Sequence, residues 1–361
     1  MSEKNSRNNM KKVTQKMIAE EAGVSLSCVT RYINGSGYVS EKKKEKVRAV
    51  METLHYIPNQ QAQYLRGGQS RVIGHIHTAL NENFLFVKIA SSIELESYAR
   101  GYRTISYSLE PDNTRQLEEM MTDLLSYGVD GIIINTGDDR SVIRQIERVA
   151  GSITAPMVMI ERPSNAYGIE KLLFDHAEGS YIATKKLYGA GHVDIAYLGV
   201  KPTVPVEQER YQGYVQAMQD INCAYYKSHS WFVDCYSVEN GYAKSLEIFA
   251  DLEEEAFPTA VFVSSDILAA GVYRGFMEMG IRIPEQISVV GYDDTIAQFL
   301  SPPLSTMRLP AEEIAETAVD ILIRKIERQE QHSGNRTTKR GPVFIERNSI
   351  RKISIQKGND R

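Results

Sequence analysis

From Arg71 onward, short apolar runs alternate with amphipathic stretches, and this alternation limits the possible folds more than any other feature of the chain. Short apolar runs bounded by polar turns indicate buried strands, and apolar residues three and four apart indicate helices. Strands that alternate with helices form parallel sheets with helices on both faces. About nine strands are too many for one ordinary sheet, so the pattern predicts two α/β lobes of roughly four to six strands each.

The predicted elements run through the whole body. The strands are Val72–Thr78, Thr104–Ser108, Gly131–Asn135, Met157–Ile160, Leu172–Phe174, Ile195–Leu198, Trp231–Asp234, Ala260–Val263 and Ser288–Tyr292. The helices between them include Leu117–Tyr127, Ser180–Gly189, Val206–Ile221 and Leu268–Met279. Open parallel sheets bind ligands beyond the carboxyl ends of their strands, so polar residues at those ends are candidate binding residues.

The composition excludes several classes of protein. The chain has 361 residues, of which 42% are apolar and 24% charged, as in soluble globular proteins. No window approaches the roughly 18 apolar residues of a membrane span, and the polar N-terminus is unlike a secretory signal. The three cysteines, Cys28, Cys223 and Cys235, form no CxxC pair. This argues against a disulfide framework or a zinc site and favours a reducing cytoplasm.

The first 70 residues are basic, and the rest of the chain is acidic. The first part holds 12 Lys and Arg against 6 Asp and Glu, whereas the remaining 291 residues hold 30 against 40. A basic head on an acidic body indicates that the head meets a polyanion. A solvated basic tail would give the same count.

The basic head is predicted to contain three short helices. Thr14 can cap a first helix, Ser25 can cap a second over Leu26–Ile33, and a third follows over Glu41–His55. Two helices joined by a turn that contains glycine form a helix-turn-helix unit. The alternative is a three-helix cap on an enzyme.

In helix-turn-helix proteins, the start of the second helix meets base edges in the major groove. Here those positions hold Leu26, Ser27 and Arg31. Arg31 can offer a two-pronged contact to guanine or grip a phosphate, and Leu26 can contact a thymine methyl. The lysines at Lys42–Lys44 and Lys46 can neutralise phosphates.

Many motifs in the same order carry a family resemblance. In the head they are Val13–Ser25, Val29–Gly35, Val39-Ser40, Val47, Leu54–Asn59, Ala62 and Leu65; in the body they are Val129–Ile134, Gly191–Gly199, Arg210–Tyr214, Ala260–Phe262, Asp266, Ile283–Glu285, Val289–Asp294 and Pro302–Thr306. On these residues the chain resembles the LacI/GalR family of bacterial transcription regulators, from residue 13 to about 350. It departs from the family pattern at Met17, Cys28 and Thr30. The operator sequence of a relative therefore does not carry over to this chain.

The resemblance implies an all-α helix-turn-helix head and a two-lobed, periplasmic-binding-protein-like α/β body. The predicted boundaries are 1–57 for the head, 58–70 for a hinge helix and linker, and 71–361 for the effector-binding and dimerisation domain. Within that domain, the first lobe is expected at about 71–171 and 305–335 and the second at about 172–304 and 336–361.

The resemblance also implies a set of DNA-binding residues. They are Thr14, Ser25, Leu26, Ser27, Cys28, Thr30, Arg31, Asn34, Tyr56, Asn59, Ala62 and Leu65. Relatives form a hinge helix at the position of Pro58–Leu65 only on DNA, where a leucine that matches Leu65 wedges into the minor groove. A helix this short is not stable by itself, so its folding can be coupled to DNA binding. An apolar side chain inserted between base steps kinks the duplex. The alternative is a passive linker with Leu65 packed on the body.

The candidate effector site lies between the lobes. Its residues are Thr78, Asn135, Glu161, Phe174, Arg210, Tyr236, Ser265, Asp266 and Asp293. A carboxylate and an arginine together suit sugar hydroxyls. By resemblance, Arg210 and Asp293 match the main effector-binding pair, Glu161 replaces the usual aspartate, and Phe174 and Tyr236 are aromatic walls. Alternatively, Asp266 caps its helix and Asn135 bonds a loop.

No other pattern indicates chemistry. We expect no catalytic residues, because no Ser/His/Asp or Cys/His arrangement is present. We expect no metal and no cofactor. His75 and His77 are two residues apart on a strand, and packing explains them better than ligation, with His77 a minor pocket candidate.

The sequence therefore predicts a cytoplasmic, nucleoid-associated repressor of carbohydrate genes that is not an enzyme. It should bind an inverted-repeat operator of double-stranded DNA as a homodimer, because no heptad tail follows Ile350-Arg351. A sugar or sugar derivative should control it, and it should not bind a membrane. Alternatives are a global carbon regulator with a phosphorylated protein partner, a purine- or nucleoside-responsive repressor, a transporter's solute receptor and an α/β enzyme.

Overall fold

The computed structural model describes residues 13–56, 69–78, 84–110, 114–136, 140–150, 153–161, 169–203, 205–250, 257–328 and 336–354. The chain divides after Ser70 into two compact units, a helical head and an α/β body. Each unit is described separately below.

Three helices build the head: α1 (Gln15–Ala22), α2 (Leu26–Asn34) and α3 (Glu41–Thr53). The hydroxyls of Thr14 and Ser25 accept hydrogen bonds from the backbone N–H groups of the first turns, so both predicted caps are confirmed. Gly23 lies between α1 and α2 with φ +63°, a left-handed conformation that glycine adopts without strain. The core of the head consists of Ile18, Ala19, Ala22, Val29 and Val47.

The described strands of the body form two six-stranded sheets. The first contains β1 (Val72–Thr78), β2 (Arg103–Leu109), β3 (Gly131–Asn135), β4 (Met157–Ile160), β5 (Ile169–Phe174) and β11 (Thr337–Arg340), in the order β11-β5-β4-β3-β1-β2. The second contains β6 (Ile195–Val200), β7 (Ser230–Val233), β8 (Ala260–Val263), β9 (Ser288–Asp293), β10 (Ser305–Arg308) and β12 (Val343–Ile345), in the order β12-β10-β9-β8-β6-β7. All neighbours are parallel except β10 and β12.

Helices cover both sheets, and each sheet with its helices forms one lobe. The first lobe has α4 (Phe84–Ala99), α5 (Thr114–Ser126), α6 (Arg140–Ala150) and α11 (Ala311–Arg328). The second lobe has α7 (His176–Gly189), α8 (Pro205–Asp220), α9 (Val238–Phe249) and α10 (Asp266–Met279). The predicted helix-turn-helix head and two-lobed α/β body are confirmed.

The chain crosses between the lobes three times: after β5, after β10 and after β11. The first and third crossings lie side by side, because the N–H of Asp175 donates to the carbonyl of Arg340 over 2.9 Å. The predicted lobe boundaries are wrong at these points. Residues 172–174 and 337–340 belong to the first sheet and 305–308 to the second. Strand pairing between distant segments decides this membership, and local patterning does not record it.

One apolar cluster runs through both lobes. It joins Ile133 and Val158 of the first sheet to Tyr197 and Phe262 of the second, and Phe174 lies within it at 1% exposure. The lobes therefore share buried apolar surface beside the crossings.

No helix among the described residues is both long and apolar enough to cross a membrane. No group of three His, Cys, Asp or Glu among them is placed to hold a metal ion. The three cysteines are free thiols.

Candidate functional site

The exposed face of α2 carries four of the predicted DNA-binding residues. Leu26, Ser27, Arg31 and Asn34 are exposed, whereas Val29 is fully buried against the head's core. The helix is thus anchored on one side and presents one apolar and three polar side chains on the other. This is the arrangement that a base-reading helix requires.

The remaining predicted residues of the head have structural contacts. Thr14 and Ser25 cap their helices, and the Thr30 hydroxyl donates to Gln15 Oε1 over 3.1 Å. Cys28 is half-buried, and Tyr56 packs against the head's core. Their DNA contacts stay predictions. Asn59, Ala62, Leu65 and the predicted hinge helix lie outside the described residues.

Most of the lysines at the start of α3 are exposed and can contact DNA phosphates. Lys42, Lys43 and Lys46 are exposed. Lys44 forms an ion pair with Glu41, with Nζ 2.7 Å from Oε1. An exposed pair of this kind contributes little to stability and exchanges readily for a phosphate.

In the body, Arg210 is the centre of the predicted effector site. This residue of α8 is 4% exposed, and its Nη2 donates to Asp293 Oδ1 over 2.8 Å. Its Nη1 donates to the carbonyl of Ser264 over 2.6 Å, and its Nε lies 3.4 Å from His176 Nδ1. The guanidinium also covers the Tyr292 ring at 4.2 Å. These contacts fix a cation beside a carboxylate at the carboxyl ends of β8 and β9, as predicted for a polar ligand site.

Ser265 and Asp266 support this site from the start of α10. The Ser265 hydroxyl caps the helix by accepting from Leu268 N over 3.3 Å. Asp266 is fully buried and accepts from Thr295 N over 2.8 Å and from the Thr306 hydroxyl over 2.7 Å. Burial, together with the nearby Asp293 carboxylate, raises the pKa of Asp266 to about 8. The alternative reading of Asp266 as the helix cap is therefore wrong, because Ser265 is the cap.

Glu161 of the first lobe reaches the second lobe through His176. Its Oε2 is 2.8 Å from His176 Nε2, and its Oε1 accepts from Phe174 N over 3.0 Å. His176 Nδ1 lies 3.2 Å from the Tyr292 hydroxyl and 3.4 Å from Arg210 Nε. Since Arg210 can only donate, Nδ1 accepts and Nε2 donates to Glu161. A continuous hydrogen-bonded chain thus joins Glu161 to Arg210.

The carboxyl ends of β1 and β3 supply the other first-lobe residues. Thr78 is half-buried at the end of β1, and Asn135 is fully buried at the end of β3, paired in register with His77. Neither side-chain amide atom of Asn135 has a hydrogen-bond partner among the described residues. His75, on the same strand as His77, is buried, and burial lowers its pKa to about 3. It is therefore a neutral core residue, as the packing interpretation holds.

The two predicted aromatic walls differ. Phe174 lies in the core, as described above, whereas Tyr236 is 38% exposed. The Tyr236 hydroxyl accepts from Arg210 Nη1 over 3.2 Å and donates to Glu207 Oε1. Sequence reasoning missed both Glu207 and His176. The available signal was the position of Glu207 one helical turn before Arg210, on the same helix face.

Comparison with known proteins identifies the family. Residues 14–59 match the family described as bacterial regulatory proteins, lacI family, and residues 184–350 match a periplasmic binding protein-like domain. A ribose operon repressor of Haemophilus influenzae is 34% identical over 339 residues, which cover 93% of this chain and 98% of that protein. This chain belongs to the LacI family.

Further similar proteins support this family membership. The transcriptional repressor PurR of Vibrio vulnificus is 30% identical over 94% of this chain and 99% of its own length. A Lac repressor dimer bound to operator and the anti-inducer ONPF superimposes with a TM-score of 0.80 at 28% identity, over 94% of this chain and all of that one. The protein is thus a DNA-binding transcriptional regulator and not an enzyme.

Proposed function

We propose that this LacI-family protein is a repressor of carbohydrate genes that binds an inverted-repeat operator as a homodimer and responds to a small sugar or sugar derivative. The observation that carries the effector class is the Arg210–Asp293 pair. It places a donor beside an acceptor at the strand ends of the second lobe. Adjacent ligand hydroxyls complement such a pair, because each hydroxyl both donates and accepts.

The predicted site residues support the same proposal. Glu161 and Asn135 come from the first lobe and Arg210, Asp266 and Asp293 from the second, so a ligand between the lobes would meet both. A ligand that contacts both lobes changes their relative position, and operator affinity changes with it. The ribose operon repressor among the relatives favours a sugar.

Exposed apolar residues on the body support the homodimer. On α4, Phe84, Val87, Leu95 and Tyr98 are exposed, and in the second lobe Met277 and Phe299 are more than three-quarters exposed. The four residues of α4 share one face of the helix by their spacing, and exposed apolar side chains grouped in this way mark association surfaces. Two heads held together would then read the two halves of an inverted repeat. Such a protein acts in the cytoplasm, on the nucleoid.

A gel shift with operator candidates from the flanking DNA tests the proposal. Full-length protein should retard one inverted-repeat fragment at protein concentrations that leave shuffled DNA free, and D-ribose or a related sugar should alter that retardation. Equal retardation of both fragments would contradict sequence-specific regulation. A mass of one chain in analytical ultracentrifugation would contradict the dimer.

A purine- or nucleoside-responsive repressor is the second candidate, because several relatives are PurR proteins. Tyr236, which is partly exposed beside Arg210, offers a ring on which a base can stack. A thermal-shift screen separates the candidates, since a ligand that binds the folded state raises the unfolding temperature. Stabilisation by adenine or guanine and not by sugars would favour the purine candidate.

A further inference from the structure

A buried carboxylate that no sequence motif singled out lies beneath the proposed effector site. Glu207, on the first turn of α8, is 0% exposed. Its Oε1 accepts from the Tyr236 hydroxyl and lies 3.7 Å from Arg210 Nη1, and its Oε2 accepts from Val200 N over 3.2 Å. Both oxygens are therefore engaged, by groups from β6, from α8 and from the segment before α9.

Tyr236 depends on these contacts for its position. It lies in an irregular segment between β7 and α9, where no strand or helix fixes its side chain. Its hydroxyl is held between Arg210 Nη1 and Glu207 Oε1, while 38% of the residue stays exposed. The buried end of the side chain is thus fixed, and part of the residue remains available to a ligand.

The same cluster decides which edge of Arg210 is available. An arginine carries five N–H donors. Nη1 donates to Ser264 O and to Tyr236, Nη2 donates once to Asp293, and Nε faces His176. Among the described residues, this leaves one N–H on Nη2 beside the Asp293 carboxylate. The guanidinium therefore offers a single donor next to an acceptor.

We propose that Glu207 is a positioning residue for effector recognition. It fixes Tyr236 as a wall of the site and keeps Arg210 Nη1 directed into the protein, so that the ligand meets only the edge formed by Arg210 Nη2 and Asp293. This inference rests on the proposed function, because it takes the effector to contact Tyr236 and Arg210.

The protonation of Glu207 gives the proposal a specific signature. Burial raises the pKa of Glu207 to about 7, and Arg210 opposes that shift. The other titratable groups facing it are Tyr197 on β6, Tyr236 and Asp293 at the end of β9. A hydrogen bond from tyrosine to an ionised carboxylate is stronger than one to a neutral acid. Ionised Glu207 therefore holds Tyr236 more firmly.

The direction of the pH effect follows from the burial of Glu207. Because this side chain is already fully buried without ligand, a ligand adds little further desolvation. The main effect of binding is to favour the held position of Tyr236, and with it the carboxylate form. Effector affinity should therefore rise as the pH increases through about 7.

The test is calorimetry of D-ribose binding to the full-length protein, over about one pH unit on either side of 7. The wild type should bind several-fold more tightly at the upper pH. Glu207→Gln should weaken binding about tenfold at the upper pH and remove the pH dependence. Glu209→Gln is the matched control, because it makes the same charge change two residues along α8 at a half-buried position. An unchanged pH dependence in Glu207→Gln would overturn the proposal.

Tyr236→Phe, which removes the hydroxyl and keeps the ring, distinguishes positioning from a general structural role. If Glu207 acts through Tyr236, Glu207→Gln should add little loss of ribose affinity in the Tyr236→Phe background. Additive losses would overturn the proposal. Urea unfolding of the ligand-free wild type, the two single variants and the double variant forms a second double-mutant cycle. This cycle measures the coupling between Glu207 and Tyr236 even if ribose does not bind. Absence of ribose binding to the wild type would count against the sugar assignment alone.

Discussion

The reading face of α2 and the cleft of the body are built in opposite ways. On α2, Leu26, Ser27 and Arg31 are exposed, and the backbone that carries them is fixed by local caps and a small core. In the cleft, Arg210 and Asp266 are buried, and each is bonded to residues of other elements. A rigid backbone with exposed side chains can be read by a partner directly. Side chains that fix one another can transmit a change from one lobe to the other.

This contrast predicts two kinds of mutational response. Substitutions on α2 should change DNA affinity and leave stability nearly constant. Substitutions in the cleft should change stability, ligand affinity and pH dependence together, because the same contacts serve all three. The following experiments test the contrast, from the largest expected effect to the smallest.

Arg210→Ala should have the largest effect. It leaves the carboxylates of Glu207 and Asp293 without their buried counter-charge, and breaking such a pair costs about 3–5 kcal/mol. Urea unfolding measures this loss. The milder Asp293→Asn keeps the side-chain shape and should abolish the effector response while operator binding persists. Unchanged effector affinity in both variants would contradict the assignment of this pair.

Asp266 should make the body's stability pH-dependent. Because its pKa rises from 3.8 to about 8 on folding, the native state holds the proton more tightly than the unfolded chain does. The contribution of Asp266 to the free energy of unfolding is fully present below pH 3.8. It is lost as the pH rises towards 8, by at most about 1.4 kcal/mol per pH unit. Asp266→Asn should reduce this slope in thermal unfolding and leave the share of Glu207, whose pKa rises to about 7. The control Asp320→Asn, at a half-buried position of α11, should retain the whole slope. If the unfolding temperatures of the wild type and of Asp266→Asn changed with pH in the same way, the expectation would be refuted.

His176→Ala should break the connection between the lobes. It removes the buried hydrogen bond between His176 Nε2 and Glu161 Oε2, at a cost of about 1–3 kcal/mol. Effector affinity should fall as well, because Arg210 Nε loses its neighbour. Ser27→Ala on α2 is the control, and its unfolding free energy should stay within about 0.5 kcal/mol of wild type. Equal stability of the two variants would remove the contrast between head and cleft.

Arg31→Ala should weaken operator binding by about 1–3 kcal/mol if the guanidinium reads a base, with no change in unfolding temperature. A gel shift on operator and on random DNA provides the measurement. Loss on the operator alone indicates base reading. An equal loss on both would reassign Arg31 to a phosphate.

The sequence predicted most of the fold, because most of it is encoded locally. The caps at Thr14 and Ser25 and the strands Gly131–Asn135 and Ala260–Val263 follow from residue type and short apolar runs. The strands β10, β11 and β12 were not predicted. Ser305–Arg308 has one apolar residue, Thr337–Arg340 has none, and Val343–Ile345 follows directly on the polar β11 with no helix between them. Their places in the sheets depend on partners far away in the chain.

The candidate site shows the same limit. Arg210, Glu161 and Asp293 could be named from strand ends and family resemblance, and they do come together. His176 could not, because its role depends on a contact with Tyr292, 116 residues away. A histidine at the start of a helix has no local pattern that distinguishes such a role from an exposed one.

The three crossings between the lobes have a consequence for synthesis on the ribosome. The first five strands emerge early, but the helix that covers β3 and β4, α11, and the edge strand β11 are made almost last. Leu322 of α11 packs so closely on β3 that a Cβ added at Gly131 would lie 2.8 Å from it. Until α11 emerges, the face of β3 that carries Gly131 and Ile133 lacks this part of its cover. Nascent chains that stall before this point should therefore be clients of chaperones and proteases, and both lobes should complete folding together at the end of translation.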